Sequence, residues 1–96
     1  MSKQPCIYIL TNKPYGSLYI GVSSHLTKRI WQHKNRITGG FTQKYHLHML
    51  VYYEYFEDMN NAILREKQMK KWKRAWKIRL IESINPRWDD LYHHVI

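Results

Sequence analysis

The chain has 96 residues, enough for one domain and no second core. Its composition is globular, 44% hydrophobic and 15% aromatic with few glycines, which argues against disorder. Sixteen Lys and Arg against seven Asp and Glu give a formal net charge of +9, which favours a polyanionic partner, either nucleic acid or an anionic membrane surface. The single cysteine, Cys6, excludes an intramolecular disulfide and reads as a small buried hydrophobe. No apolar run is long enough to span a bilayer, and the start has neither the apolar region nor the cleavage signature of a signal peptide. A cytoplasmic, reducing location fits this balance.

The first element is a β-branched and aromatic run from Ile7 to Thr11. Turn-forming residues follow at Asn12-Lys13-Pro14-Tyr15-Gly16-Ser17, and a second strand-like run covers Leu18 to Val22. This pattern predicts a β-hairpin that sets Tyr8 and Tyr19 on neighbouring strands. Ser23 or Ser24 can cap the next segment, a helix whose stripe is Leu26, Ile30 and Ile37 and whose end is expected at Thr38-Gly39-Gly40. Arg29 and His33, four apart, leave that helix on one side. Phe41 to Leu47 reads as loop, and Met49 to Phe56 as a third strand buried on both faces.

Glu57-Asp58 caps a longer helical segment beginning near Met59. Helical spacing places Met59, Ala62, Ile63, Met69 and Trp76 on one side, with Glu66 the only acid in that arc. Seven basic residues lie between Lys67 and Arg79, interleaved with Trp72 and Trp76, and the segment is one helix or two. Pro86 stops it, and the tail from Trp88 to Ile96 can fold back on the body.

Several of these residues can carry chemistry, and each has a plainer reading. A tyrosine hydroxyl ionises near pH 10, so Tyr8 or Tyr19 acts as a base near neutrality only beside a cation, a metal-bound water or another base. Arg29 and His33 could supply that setting; otherwise they are a solvated cation and a surface histidine. A buried unpaired carboxylate costs several kcal/mol, so a buried Glu66 is paired, protonated or bound to a metal; the plainer reading is a partly exposed Glu66 paired with Arg65, Lys70 or Arg29. One carboxylate suits Mg²⁺, which keeps several waters and takes substrate phosphate as ligand. For zinc the donor set is thin, since His46-His48 and His93-His94 match no common spacing. Lys70, Lys71, Lys73, Arg74 and Lys77, with the two tryptophans, have the character of a nucleic-acid contact, and an amphipathic membrane helix is the rival reading.

Taken in order, Cys6-Ile7-Tyr8, Tyr19-Ile20-Gly21, the helix with Arg29 and His33, the strand Leu50-Val51-Tyr52-Tyr53-Glu54, the helix with Glu66, and Asn85-Pro86 form a pattern. It resembles the GIY-YIG nuclease family along nearly the full length. The likeness is strongest to small stand-alone bacterial members related to the amino-terminal domain of the excinuclease C subunit. The resemblance implies an α+β fold, a three-stranded antiparallel sheet flanked by helices, occupying residues 1–96. It also implies phosphodiester hydrolysis by an endonuclease with one divalent metal, Mg²⁺ or Mn²⁺, acting on nucleic acid, DNA ahead of RNA. By position, Tyr8 and Tyr19 are the motif tyrosines, with Tyr8 as general base. Arg29 steadies the scissile phosphate, Glu66 holds the metal near the leaving oxygen, His33 falls where a histidine is frequent, and Asn85 matches a late asparagine.

Two departures stand out. Cys6 replaces the first glycine, at a position expected to face away from the chemistry. Val22-Ser23 stands where some members carry a lysine, so His33 would have to take over that lysine's influence on the tyrosine. A nucleic-acid-binding module without useful catalysis is the alternative that the +9 charge and the missing lysine raise.

Overall fold

In the computed structural model, which describes residues 4–37 and 40–96, the short β-branched and aromatic runs form three strands. These are β1 (Cys6–Thr11), β2 (Leu18–Ser23) and β3 (Met49–Tyr55). All pairings are antiparallel in the order β2-β1-β3. The first strand is therefore central, and every one of its residues is buried. Its register sets Tyr8 opposite Gly21 on one side and Tyr53 on the other. An irregularity after Ile9 shifts the pairing with β3.

The two faces of the sheet build two cores. Ile7, Ile9, Ile20, Val51 and Tyr52 pack with Ala62 and Met69 of α3 (Met59–Lys70), Ile81 of α4 (Arg74–Ile84), and Trp88. On the opposite face Cys6, Tyr8, Leu10 and Leu50 pack with Leu26 and Ile30 of α1 (Leu26–Lys34), Leu47 and Leu91. The alternation of side chains explains the division along β1, since residues two apart share a face, and the irregularity opposite Ile9 and Leu10 leaves the adjacent Val51 and Tyr52 in one core. It also corrects one expectation: Cys6 lies on the same face as Tyr8. Its thiol donates to the Ser23 carbonyl at 3.3 Å, and burial pushes its pKa up to about 11, so it stays a closed, neutral thiol.

Helix ends differ from the expected ones for identifiable reasons. The first helix stops at Lys34, ahead of the glycines, because Arg36 takes a left-handed φ of 57°. Arg36 N–H then donates to His33 O and Ile37 N–H to Gln32 O, the paired bonds of a Schellman closure. Ile37 is thus outside the helix and exposed, while the predicted stop at Thr38 and Gly39 lies outside the described residues. Neither serine caps α1; the N-cap is His25, whose N–H donates to Ser23 Oγ.

The stretch read as loop contains a short helix, α2 (Gly40–Lys44). His46, at φ 56°, closes it, with Leu47 N–H donating to Thr42 O and the Leu47 side chain fully buried. Asp58 caps α3 as expected, accepting from Asn61 N–H at 2.8 Å. The basic segment is two helices, broken where Lys73 becomes extended. Trp72 packs against the core beneath Arg65, whereas Trp76 is exposed.

The chain's last segment secures the open sides of the sheet. Leu91 N–H donates to Leu50 O, and Asp90 accepts from Leu50 N–H and pairs with Lys34 at 2.5 Å. Burial alone would raise the Asp90 carboxyl, but these hydrogen bonds outweigh it and hold its pKa below the usual value. At the other end Tyr15 donates to Glu82, as does Trp88 Nε1, so the hairpin turn is latched to α4. Asn85 is buried and fully engaged. Its Nδ2 donates to Val51 O at 3.1 Å and Asp89 O at 2.9 Å, and its Oδ1 accepts from Asp89 N–H. Asn85→Ala removes all three bonds and strands a buried carbonyl, so we expect it to lower the unfolding free energy by about 2–3 kcal/mol, read from urea melts.

Candidate active site

Five elements converge on one cleft of about 370 Å³, lined by Tyr8 of β1, Tyr19 and Val22 of β2, Arg29 and His33 of α1, Gly40, Phe41 and Thr42 of α2, and Glu66 of α3. The five residues singled out as Tyr8, Tyr19, Arg29, His33 and Glu66 are therefore brought together, though they span 59 positions of sequence. Asn85 is not among the lining residues, and its amide is committed to holding β3 against the end of α4.

The buried floor of the cleft is a hydrogen-bonded chain. Tyr8 Oη lies 3.1 Å from His33 Nε2, and His33 Nδ1 lies 3.2 Å from Thr42 Oγ1. One side chain from the central strand is thereby tied to two helices. Helical spacing explains why Arg29 accompanies His33: one turn apart, both leave α1 toward the cleft, while Leu26 and Ile30 point into the core. The rings pack closely, with Tyr8 and Tyr19 centroids 6.3 Å apart and Tyr19 and His33 centroids 5.9 Å apart. Gly21 makes this possible. A Cβ there would stand 2.4 Å from Tyr8 Cζ and Oη, so any side chain would displace the buried tyrosine.

Burial dominates the electrostatics. It raises the Tyr8 pKa well above the usual tyrosine value, the nearby Tyr19 adds to the rise, and the Arg29 guanidinium opposes it. Burial, with Arg29 in second place, lowers His33 to about 4. At neutral pH the pair is thus a phenol hydrogen-bonded to a neutral imidazole. In the tautomer with Nδ1–H donating to Thr42, Nε2 accepts a hydrogen bond from Tyr8 Oη; the other tautomer reverses both bonds. Glu66 is the sole acid in the lining, and its side chain is only 14% exposed. Lys70 Nζ approaches its Oε2 at 3.6 Å across one helical turn, so the expected pairing with Lys70 is present but loose.

A hard divalent cation fits this donor set in one way only. Among the described residues no three His, Cys, Asp or Glu side chains gather around a point, so a closed protein cage is absent there. A shielded carboxylate facing a cleft that also holds Arg29 matches a cation that keeps water and takes phosphate oxygen as its other ligands.

None of Lys70, Lys71, Lys73, Arg74 and Lys77, read as contacts to nucleic acid, lines the cleft. Lys70, Lys71 and Lys73 are exposed around the α3–α4 junction, and Lys77 is half-buried on α4. Arg74 is occupied: its guanidinium donates to Tyr15 O at 2.5 Å and Gly16 O at 2.7 Å, which pins the hairpin turn. Two lining residues, Phe41 and Thr42, were missed by sequence reasoning. The available signal was the i, i+4 pair Phe41 and Tyr45, a one-turn helical spacing too short to define an amphipathic stripe.

A small antiparallel sheet thus carries two neighbouring tyrosines beside a cleft that Arg29 and Glu66 line. The chain belongs to the GIY-YIG family: the model of the GIY-YIG catalytic domain matches residues 4–79. Its relatives include the UPF0213 protein CPE1444 of Clostridium perfringens, 40% identical over 77 residues that cover 80% of this chain and 82% of that one. The UPF0213 protein SSP2268 of Staphylococcus saprophyticus is 37% identical over 77 residues, 80% of this chain and 93% of that one. The solution structure of the UPF0213 protein BH0048 from Bacillus halodurans shares the fold, with a TM-score of 0.57 at 24% identity over 91% of this chain and 92% of that one. No helix of the described residues is long and apolar enough to cross a membrane.

The lowered His33 pKa makes folding sensitive to acid. Unfolded, the imidazole binds its proton near pH 6.5; folded, only near 4. Stability from this group is therefore complete above 6.5, falls as pH drops toward 4, and levels off below it. The loss is expected to reach about 3 kcal/mol. Denaturant melts of wild type and His33→Gln between pH 7 and 3.5 should show the gap between them narrowing by that amount as the wild type is acidified.

Proposed function

We propose that this chain is a divalent-metal-dependent endonuclease that hydrolyses phosphodiester bonds, with DNA the preferred substrate over RNA. The observation that carries the reading is the meeting of Tyr8, His33, Arg29 and Glu66 in one cleft, against a buried tyrosine–histidine hydrogen bond.

In this reading Arg29 receives the scissile phosphate. Its planar, permanently charged fork suits an oxyanion that gains charge as the bond breaks. Tyr8 takes a proton from the attacking water while passing its own to His33 Nε2, along a bond 3.1 Å long. The hydroxide attacks phosphorus and the departing ester oxygen leaves with the bonding pair. The transfer leaves His33 cationic, and Thr42 keeps its ring turned so that Nε2 faces Tyr8. Tyr19 walls the cleft beside Tyr8. Glu66 would hold the Mg²⁺ or Mn²⁺, which when bound supplies Lewis acidity for the charge developing on the leaving oxygen. The lysine that some family members place after the second tyrosine motif has no counterpart, because Val22 presents an apolar side chain to the cleft. His33 then carries the proton transfer without help from a second nearby cation.

Outside the cleft, Lys70, Lys71, Lys73 and Lys77 would meet flanking phosphates and give binding a salt dependence. Arg74 would contribute by holding the turn, and Asn85 by holding the sheet.

The test is cleavage of labelled linear, nicked, flapped and branched DNA, and of RNA, with Mg²⁺ or Mn²⁺. Wild type should cut. Glu66→Ala and Tyr8→Phe should each lose about a hundredfold or more in rate while still binding. Equal cutting by wild type and Glu66→Ala would sink the proposal, and salt-dependent binding without cutting by any of the three would leave a binding module.

A further inference from the structure

The cleft has a charged side and an aromatic side, and the mechanism above gives no part to the outer rings of the second, Phe41 and Tyr45. On the second, a file of rings runs outward from the buried Tyr8. Tyr19 comes next, then Phe41, whose ring lies 6.5 Å from that of Tyr19 at only 23° between planes, then Tyr45, 4.6 Å beyond Phe41. Exposure rises from the floor to Phe41 and stays high at Tyr45: Tyr8 is buried, Tyr19 half-buried, Phe41 47% exposed and Tyr45 44% exposed. A phenylalanine has no polar atom to place in water, yet beyond its contacts with Tyr19 and Tyr45 nearly half of Phe41 stays open beside a cleft that also holds Arg29 and Glu66. It is not loosely placed either. Thr42, the next residue, is buried and bonded to His33, and the backbone closure at His46 and Leu47 fixes the helix that carries both.

We propose that Phe41, backed by Tyr45, is a stacking site for an unpaired nucleobase next to the phosphate that Arg29 receives. The inference rests on the nuclease reading and narrows its substrate class. A base offers its face to a protein ring only when it has left its neighbours in the stack, so the substrate has an unstacked nucleotide beside the cut, as at a flap, a free end or a branch. The shared cleft supplies the link between the two contacts, because Phe41 and Arg29 line the same space. Lys44, whose Nζ lies 5.5 Å from the centre of the Tyr45 ring, adds a cation where the strand would leave α2. Stacking tolerates any base, so the site selects for structure and not for sequence.

The experiment is fluorescence of 2-aminopurine at the unpaired position of flapped DNA, without metal, alongside binding to a fully paired duplex of the same length. Wild type should quench the unpaired probe. Phe41→Ala should lose the quench and bind the flap about tenfold more weakly, with duplex binding unchanged, and Phe41→Trp should restore both. Because Phe41 is half exposed, its removal should leave the thermal melt in place. Equal flap binding by wild type and Phe41→Ala, or an equal loss on flap and duplex, would overturn the stacking site while leaving the nuclease reading intact. A Phe41-dependent quench in a protein that never cuts would support the site and remove the nuclease. No binding to any nucleic acid would remove both.

Discussion

The structure turns on a short chain of buried polar atoms, from Tyr8 Oη through the His33 imidazole to Thr42 Oγ1. A phenol and an imidazole away from water are costly unless each finds a partner, and these find one another. The requirement fixes where α1 lies against the central strand and which way α2 turns. It also explains why position 21 has no side chain, since the tyrosine ring occupies that space. In the proposed mechanism stability and chemistry therefore draw on the same atoms: the bond that satisfies the buried groups is also the path along which a proton leaves Tyr8.

The rest of the fold keeps that chain in place from both faces of the sheet. Two cores, one under α3 and α4 and one under α1, leave the central strand with no exposed residue. Such a strand cannot slip in register without moving every side chain to the wrong face. The ends are latched separately, the hairpin turn by Arg74, Tyr15 and Glu82, and the β3 side by Asp90 and Leu91. The latches use residues that look like surface charges in the sequence. Arg74 is the clearest case: read as a phosphate contact, it spends its donors on two carbonyls of the turn.

Much of this was legible beforehand because it rests on period and on turn chemistry. The hairpin, the third strand and the Asp58 cap follow from residue types at short range. The meeting of Tyr8, Tyr19, Arg29, His33 and Glu66 was visible only through the family pattern, since no local rule brings position 66 to position 8. What escaped was decided by backbone geometry at single residues. Arg36 and His46 take left-handed conformations usual for glycine, so α1 ends early and α2 exists at all. The facing of Cys6 was misjudged for a simpler reason, as two-residue alternation puts it with Tyr8. Thr42 carried no sequence signal, because its role depends on an imidazole nine positions away.

The central claim is that His33 is a neutral acceptor for the Tyr8 proton. Nitrogen-15 NMR of the His33 ring across pH tests it most directly, because the two ring nitrogens report protonation and tautomer separately. The account predicts an Nδ1–H tautomer with Nε2 bare and accepting through neutral pH, titrating near 4. A ring that carries its proton on Nε2, or that is doubly protonated at neutral pH, would contradict it, since Tyr8 would then face a donor in place of a base.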